Sequence, residues 1–130
     1  MRGSLTSREH TETVLLVEDD ALVRELLAEF LEGAGYTVIE APDAEHAIAL
    51  AAASAPPITL LITDVILPGQ SGPDLAEALT AVTPGLKTIF VSGFCGDQLL
   101  KSVALPNDVP ILTKPFSRLA FLRTVRNVLP

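Results

Sequence analysis

The fold class is indicated most directly by residues 14–41, which read VLLVEDDALVRELLAEFLEGAGYTVIEA. This stretch opens with an uninterrupted aliphatic run, which is typical of a strand buried on both faces of a parallel sheet. The middle repeats apolar side chains at the i, i+3, i+4, i+7, i+8 spacing of one helix face: Val23, Leu26, Leu27, Phe30 and Leu31. Another apolar run follows at residues 36–39. A strand, a helix and a strand in this order predict a βαβ unit and an α/β fold.

The same alternation continues along the rest of the chain. Apolar runs recur about every 20–30 residues, which is the length of one strand and one crossover helix. They lie at residues 14–17, 36–39, 59–63, 88–91 and 109–112. Five such repeats predict a (βα)5 architecture, in which helices cover both faces of a doubly wound, five-stranded parallel sheet.

Residues that favour helix ends delimit the first two predicted helices. Asp20 can cap the first helix at its N-terminus, and Gly33 with Gly35 can end it. Asp43 precedes an alanine-rich second helix that should stop near residues 56–57, where two prolines follow each other.

The later helices are predicted in the same way. Pro73 suits the first turn of a third helix that runs towards Val82, and Ser117 begins the last helix. A weaker fourth helix is predicted at residues 96–103. The predicted inward stripe of the last helix comprises Leu119, Leu122, Val125 and Val128 or Leu129.

The composition indicates one folded, acidic domain. Of the 130 residues, 48% are hydrophobic and 19% are charged, which is too apolar for intrinsic disorder. The net charge of -7 argues against a nucleic-acid partner, because binding to phosphates requires clustered Lys and Arg. A single cysteine, Cys95, excludes an intrachain disulfide framework and a thiolate-rich metal cage, and it is compatible with a cytoplasmic protein.

Domain boundaries follow from the N-terminal composition. Residues 1–12 contain no apolar segment of the kind found in a signal peptide, so we expect a polar tail or a cloning remnant there. Residues 13–130 form the predicted domain. No apolar run approaches the ~20 residues of a membrane span, so no membrane contact is expected.

Chemically active residues follow the predicted strands, and ligands of open parallel sheets bind beyond the carboxyl ends of strands. At these ends lie Glu18, Asp19, Asp20, Asp64, Ser92, Gly93, Lys114 and Pro115. Carboxylates packed together repel one another, and a hard divalent cation such as Mg2+ offsets that repulsion. A carboxylate beside Mg2+ can attack phosphorus, while a hydroxyl and an ammonium group bind the phosphoryl oxygens. The sequence therefore predicts a phosphoryl acceptor.

Four motifs occur in a fixed order at these strand ends: VLLVEDD at 14–20, DVILPGQSG at 64–72, VSG at 91–93 and KPF at 114–116. With them, residues 13–129 resemble a response-regulator receiver domain of two-component signalling. The segments EDDALVRELLAEFLEGAGYTVIEA, FVSGF and LTKPF are similar to receivers at the C-terminus of hybrid sensor histidine kinases. The resemblance implies a flavodoxin-like sheet with strand order 2-1-3-4-5 and a function in phosphorelay signal transduction.

The resemblance also implies a role for each acid of the site. Asp64 would be the phosphoacceptor. Asp19 and Asp64 would bind Mg2+, and Glu18 would act on the ion directly or through water. The backbone carbonyl of Ile66 would supply a further ligand. Asp20 matches a position that is often acidic in the family but is not usually a ligand.

The remaining site residues are assigned to the phosphoryl group by the same resemblance. Ser92 would be the switch hydroxyl that moves towards the phosphoryl group, and Lys114 would pair with its oxygens. The peptide bond before Pro115 would be cis and would direct the lysine inward. Ile111 departs from the family pattern, because many receivers carry a Tyr or Phe there that rotates inward when the hydroxyl moves.

The implied phosphodonor is a histidine kinase or a histidine phosphotransfer protein. The implied role is that of a phosphorylation switch and not of a turnover enzyme. A phosphorylation-linked dimer would use the face built by the fourth helix, the fifth strand and the fifth helix. The chain would be either a single-domain regulator or a module of a hybrid kinase, and in the second case the enzyme is the separate kinase core.

Two other functions fit part of the pattern. An aspartate-nucleophile phosphatase of the haloacid dehalogenase type also uses Mg2+ on an α/β sheet, but it requires a second Asp where this chain has Ile66. A non-catalytic, flavodoxin-like binding module would need neither Mg2+ nor a phosphodonor. The glycines form neither a GxGxxG nor a P-loop motif, which excludes dinucleotide and P-loop nucleotide sites.

Overall fold

The computed structural model describes residues 12–93 and 109–129. In these ranges it has five strands: β1 (Thr13–Val17), β2 (Thr37–Ala41), β3 (Leu60–Asp64), β4 (Lys87–Ser92) and β5 (Ile111–Thr113). The helices in the same ranges are α1 (Ala21–Gly33), α2 (Ala44–Ala53), α3 (Gly72–Val82) and the C-terminal helix (Arg118–Val128). Residues 1–11 of the predicted tail and the predicted fourth helix at 96–103 lie outside the described residues. Among the helices described, none is long and apolar enough to cross a membrane.

All five strands run parallel, in the order β2-β1-β3-β4-β5. This order confirms the predicted five-stranded α/β sheet. β1 and β3 lie inside the sheet, and every residue of both strands is buried. Their aliphatic runs are continuous because packed helices cover both faces of a parallel sheet. The edge strand β2 is buried only at its last residue, Ala41.

The core is divided between the two faces of the sheet. Successive residues of a strand point to opposite faces, so Leu15 and Leu16 enter different cores. Leu16 packs with Leu31 of α1 and Phe121 of the C-terminal helix. Leu15 packs with Leu75 of α3 and with the small residues of α2. Helices therefore cover both faces of the inner strands β1 and β3, while the edge strands β2 and β5 are partly exposed.

Two positions of the predicted inward stripes are wrong. Leu26 is 49% exposed and Leu119 is 58% exposed. Successive residues of a helix are rotated by about 100° about its axis. The buried face of α1 lies between Leu27 and Ala28, so Leu26 points away from it. In the C-terminal helix the buried face includes Phe121, Leu122 and Val125. The pattern of large apolar residues thus marked the correct helices and correctly predicted the burial of Leu27, Leu31, Leu122 and Val125, but it included one exposed residue in each helix.

Hydrogen bonds confirm the predicted cap of α1 and show that the residues predicted to precede or begin two other helices are also caps. The Asp20 carboxylate accepts the N–H groups of Leu22 at 3.0 Å and Val23 at 3.2 Å. Asp43 accepts from a backbone N–H at the start of α2, and Ser117 does so at the start of the C-terminal helix. These side chains satisfy N–H groups that have no partner inside the helix. They fix where each helix leaves the carboxyl end of a strand.

The register of the sheet brings the ends of β1 and β3 to the same level. Val17 of β1 pairs with Thr63 of β3, so the next residues, Glu18 and Asp64, leave adjacent strands side by side. Asp64 also pairs with Val91 of β4, one residue before the end of that strand. The acidic residues and the polar end of β4 therefore meet at one edge of the sheet.

Candidate functional site

Three carboxylates meet at this edge. One oxygen each from Glu18, Asp19 and Asp64 can be chosen so that all three lie within 4.8 Å of one another. Glu18 is 2% exposed and Asp64 is 8% exposed, whereas Asp19 is open to solvent. The predicted cluster is therefore present, with one acid accessible and two largely removed from water.

Lys114 is the cation of the cluster. Its Nζ lies 2.8 Å from Oε1 of Glu18 and 3.5 Å from Oδ1 of Asp64. The lysine follows β5, and its backbone N–H donates to the carbonyl of Ser92 at 2.8 Å. The peptide bond between Lys114 and Pro115 is cis, as the resemblance implies. The sequence placed Lys114 at this edge but did not predict that Glu18 is its nearer partner.

Glu18 is held as a carboxylate by its hydrogen bonds. Besides the Lys114 ammonium, it accepts the backbone N–H of Asp20 at 3.1 Å. Burial alone would raise the pKa of Glu18, but hydrogen bonds with Asp64, Lys114 and the Asp20 N–H outweigh burial and lower the pKa below its usual value of 4.5. The same contacts act on Lys114: burial would lower its pKa, but the hydrogen bond to Glu18 and the charge of Asp64 raise it.

Asp64 has the opposite electrostatic environment. Burial is the main cause that raises its pKa from 3.8 to about 8, and the hydrogen bond and the negative charge of Glu18 add to the rise. Lys114 acts against the rise but does not cancel it. Two carboxylates with such different pKa values are typical of a site in which neighbouring acids have different chemical roles.

Ser92 lies at the end of β4, next to the β3 end. Its side chain is buried, and its hydroxyl donates to the carbonyl of Gly93 at 3.4 Å. The long distance of this hydrogen bond leaves the hydroxyl weakly held. The hydroxyl is thus placed on the strand that adjoins Asp64, as predicted.

The other predicted residues lie around this cluster. Ile66 is in the loop after β3, and its side chain is 44% exposed. Ile111 is exposed on the edge strand β5, where the family pattern expects an aromatic residue. Asp20 caps α1 and does not belong to the group of three carboxylates whose oxygens lie close together. Of the three consecutive acids after β1, Glu18 and Asp19 therefore belong to the carboxylate cluster, whereas Asp20 caps a helix.

Gly72 is a site residue that the sequence analysis did not identify. Its N–H donates to the carbonyl of Val65 at 2.7 Å, which fastens the start of α3 to the end of β3. A Cβ atom built on Gly72 would collide with the backbone carbonyl oxygen of Asp64. Only glycine allows this approach, so Gly72 holds the backbone of Asp64 in place. Its position in the DVILPGQSG motif was the one available signal.

Comparison with solved structures supports the same fold. The chain is 31% identical to the receiver domain from hybrid histidine kinase CckA, with a TM-score of 0.76, covering 91% of this chain and 99% of that one. It is 25% identical to the signal receiver domain of an HD domain-containing protein from Pseudomonas fluorescens Pf-5, with a TM-score of 0.80, covering 92% of this chain and 95% of that one.

Comparison with sequences identifies the family. The chain is 37% identical to the response regulator receiver protein CpdR of Brucella abortus over 79% of this chain and 84% of CpdR. It is 34% identical to the sensor kinase CckA of the same organism over 90% of this chain, but it spans only 12% of that kinase. The family profile described as "Response regulator receiver domain" matches residues 14–126. The chain therefore belongs to the response regulator receiver domains, the phosphoacceptor modules of two-component signalling.

Proposed function

We propose that this chain is a phosphorylation switch that accepts a phosphoryl group on Asp64 in a Mg2+-dependent reaction. The observation that carries the proposal is the meeting of Glu18, Asp19, Asp64 and Lys114 at one edge of the sheet. The donor would be a phosphohistidine of a histidine kinase or a histidine phosphotransfer protein, as membership of the family suggests.

The donor set fits a hard divalent cation. Carboxylate oxygens are the ligands that Mg2+ prefers, and it is usually bound through one or two carboxylates and water. Glu18, Asp19 and Asp64 would hold the ion, with the backbone carbonyl of Ile66 as a further ligand. A bound Mg2+ would supply positive charge that neutralises the phosphoryl oxygens.

Asp64 is the nucleophile of the proposed reaction. One oxygen of its carboxylate attacks the phosphorus atom, and the new O–P bond forms as the P–N bond of the phosphohistidine breaks. The electron pair of the broken bond remains on the imidazole nitrogen. Lys114, 3.5 Å from Asp64, is placed to pair with the phosphoryl oxygens and favours the ionised carboxylate. Ser92 would then move its weakly held hydroxyl towards the new phosphoryl group.

The conformational readout is proposed for the face of β5 and the C-terminal helix, together with the segment at 96–103 that lies outside the described residues. Exposed Ile111 and Leu119 on this face are apolar side chains available for a phosphorylation-linked dimer. We place residues 13–130 in this one domain, in the cytoplasm, as a receiver that works alone or within a hybrid kinase. The similarity to both CpdR and the CckA receiver supports either arrangement.

The phosphatase alternative is disfavoured by the loop after β3. That reaction needs an acid two residues after the nucleophile to protonate a leaving group or to activate water. Ile66 occupies the position, and its apolar side chain can do neither. A non-catalytic binding module is disfavoured by the geometry, because it does not require three carboxylates and a lysine ammonium to meet at one edge of the sheet.

Phosphorylation by a small donor tests the proposal. Incubation with acetyl phosphate and Mg2+ should add the mass of one phosphate to the wild-type protein in intact-protein mass spectrometry. Asp64→Asn should show no adduct, because the amide is not a nucleophile. Asp74→Asn is a matched control, since Asp74 is an exposed acid on α3, and it should behave like the wild type. An adduct on Asp64→Asn, or none on the wild type, would contradict the assignment.

A further inference from the structure

We propose that Arg24 is a positioning residue that holds the Glu18–Asp19 peptide in the orientation needed for Mg2+ binding; this inference rests on the proposed function. Arg24 lies in the first turns of α1, and its side chain is only 18% exposed. Its Nη1 donates to the backbone carbonyl of Glu18 at 2.7 Å. Its Nε lies 3.5 Å from the carboxylate of Glu40 on β2. One guanidinium thus connects α1, β2 and the end of β1.

The contact with the Glu18 carbonyl completes the restraint on this peptide. The backbone N–H of Glu18 already donates to the carbonyl of Ala41 at 3.1 Å. With its carbonyl bound by Arg24, Glu18 is fixed on both of its backbone polar groups. A peptide unit is planar, so fixing this carbonyl also fixes the N–H and the starting direction of Asp19. Arg24 therefore acts on the accessible acid of the site without touching it.

The guanidinium is suited to this role by its shape. Its N–H groups form a rigid planar fork, so Nη1 and Nε can engage two acceptors at once. Glu40 holds the guanidinium from the strand side, which limits its rotation. A lysine ammonium is a point charge on a flexible stem, and it cannot reproduce both contacts in the same geometry.

The two possible effects of Arg24 on Mg2+ binding have opposite signs. As a nearby cation, Arg24 repels Mg2+, so its removal should tighten binding if charge alone matters. As a positioning residue, Arg24 aligns the Glu18 and Asp19 oxygens, so its removal should weaken binding. A change in Mg2+ affinity therefore separates positioning from simple electrostatics.

The experiment measures Mg2+ dissociation constants by isothermal titration calorimetry. Arg24→Met should weaken Mg2+ binding roughly tenfold, the lower end of what loss of a ligand-orienting contact costs in metal sites. Arg24→Lys, which keeps the charge but not the fork, should be intermediate. Arg123→Met is the matched control: it removes an exposed arginine of the C-terminal helix that has no ion pair among the described residues, and it should leave the constant unchanged.

A kinetic readout accompanies the binding measurement. In Arg24→Met, the Mg2+ concentration that half-saturates phosphorylation by acetyl phosphate should rise, while the rate at saturating Mg2+ should recover to near the wild-type rate. Glu40→Gln should shift the half-saturating concentration less, because the Nε contact is longer than the carbonyl contact. A general loss of structure would instead lower the rate at every Mg2+ concentration.

The outcomes separate this inference from the proposed function. Unchanged or tighter Mg2+ binding by Arg24→Met, with normal wild-type binding, overturns the role of Arg24 and leaves the proposed function standing. Absence of Mg2+ binding by the wild type overturns both. If Arg24→Met does not fold, Arg24→Lys decides: wild-type affinity in that variant means that the charge alone suffices, and the positioning role is overturned.

Discussion

The strand ends of β1 and β3 carry neighbouring acids in contrasting surroundings. At the β1 end, Glu18 accepts the Asp20 N–H and the Lys114 ammonium, and its pKa is lowered. At the β3 end, Asp64 is buried, has a longer contact with Lys114, and has its pKa raised to about 8. Hydrogen bonds decide the first case and loss of solvent the second. Two adjacent carboxylates can therefore hold different protonation states at the same pH.

This contrast assigns the two acids to separate tasks. Glu18 stays ionised, and its negative charge attracts cations and holds Lys114 in place. The raised pKa of Asp64 means that further positive charge near it favours its ionised form, as Lys114 already does in part.

The largest effect is expected for the pH dependence of stability in metal-free buffer. Asp64 has a pKa of about 8 in the folded protein and 3.8 as the usual value, so between these values the folded state holds a proton that the unfolded chain releases. Stability should therefore fall as pH rises from 4 to 8. At about 1.36 kcal/mol per pKa unit, the loss can reach roughly 5 kcal/mol. Asp64→Asn should remove this pH-dependent loss of stability. Urea denaturation at several pH values in the presence of EDTA measures the free energy of unfolding for both proteins.

Glu18→Gln tests, in the same experiment, whether Glu18 raises the pKa of Asp64. It removes the charge and hydrogen bond that help to raise the pKa of Asp64 but leaves Asp64 buried. The fall in stability should then be smaller than in the wild type and should end at a lower pH, because its onset is set by the pKa of Asp64 in the unfolded chain. The lowered pKa of Glu18 affects stability only below its usual value of 4.5, and the raised pKa of Lys114 only above 10.5, so neither hides the Asp64 transition. An unchanged transition in Glu18→Gln would contradict the coupling of the two acids.

The second prediction concerns the backbone beneath Asp64. Gly72→Ala should destabilise the fold by about 2 kcal/mol, because the new Cβ collides with the Asp64 carbonyl and backbone must move to relieve the overlap. Phosphorylation of Asp64 should fall as well. Gly33→Ala is the matched control: outside its chain neighbours and the adjacent helix backbone, no atom lies within 4 Å of its Cβ position, and alanine favours helix, so stability should stay equal or rise. Chemical denaturation that finds both variants equally unstable would contradict this interpretation.

The fold was largely predictable from local sequence. Continuous aliphatic runs gave β1 and β3 because strands buried on both faces need no polar residues. Asp20 and Ser117 marked helix starts because capping is a contact within three residues. Leu119 was misplaced because an apolar residue in a terminal turn can face solvent when the helix is rotated by its tertiary packing.

The site was predictable only in part. The order of strand-end residues brought Glu18, Asp64 and Lys114 to one edge, since carboxyl ends of parallel strands meet there. Which acid binds Lys114 depends on side-chain distances between residues 96 positions apart, and sequence spacing does not encode these. The contact of Arg24 with a backbone carbonyl and the close approach of Gly72 to Asp64 depend on the same tertiary geometry.

The third prediction concerns the stabilisation of the folded protein by bound Mg2+. At ten times its dissociation constant, Mg2+ should stabilise the native state by about 1.4 kcal/mol, because it binds the folded site and not the unfolded chain. At a fixed Mg2+ concentration, the rise in Tm should be larger at pH 8 than at pH 5.5, since a proton on Asp64 competes with the ion. Asp19→Asn should abolish the rise. Differential scanning fluorimetry measures these changes in Tm. An equal rise in the Tm of Asp19→Asn would contradict the proposed ligand set.

The smallest effect separates the two exposed acids of the β1 end itself. Asp20 accepts two N–H groups at the start of α1, so Asp20→Ala should cost about 1 kcal/mol of stability. Asp20→Ser keeps a capping oxygen without the charge, and its stability should return close to that of the wild type. Neither Asp20 variant should weaken Mg2+ binding as strongly as Asp19→Asn does. Asp19→Asn should not lower the stability of the metal-free protein. If calorimetry finds that Asp20→Ala and Asp19→Asn lose Mg2+ affinity equally, the consecutive acids share one role and the division of the β1 end into a helix cap and a metal ligand is wrong.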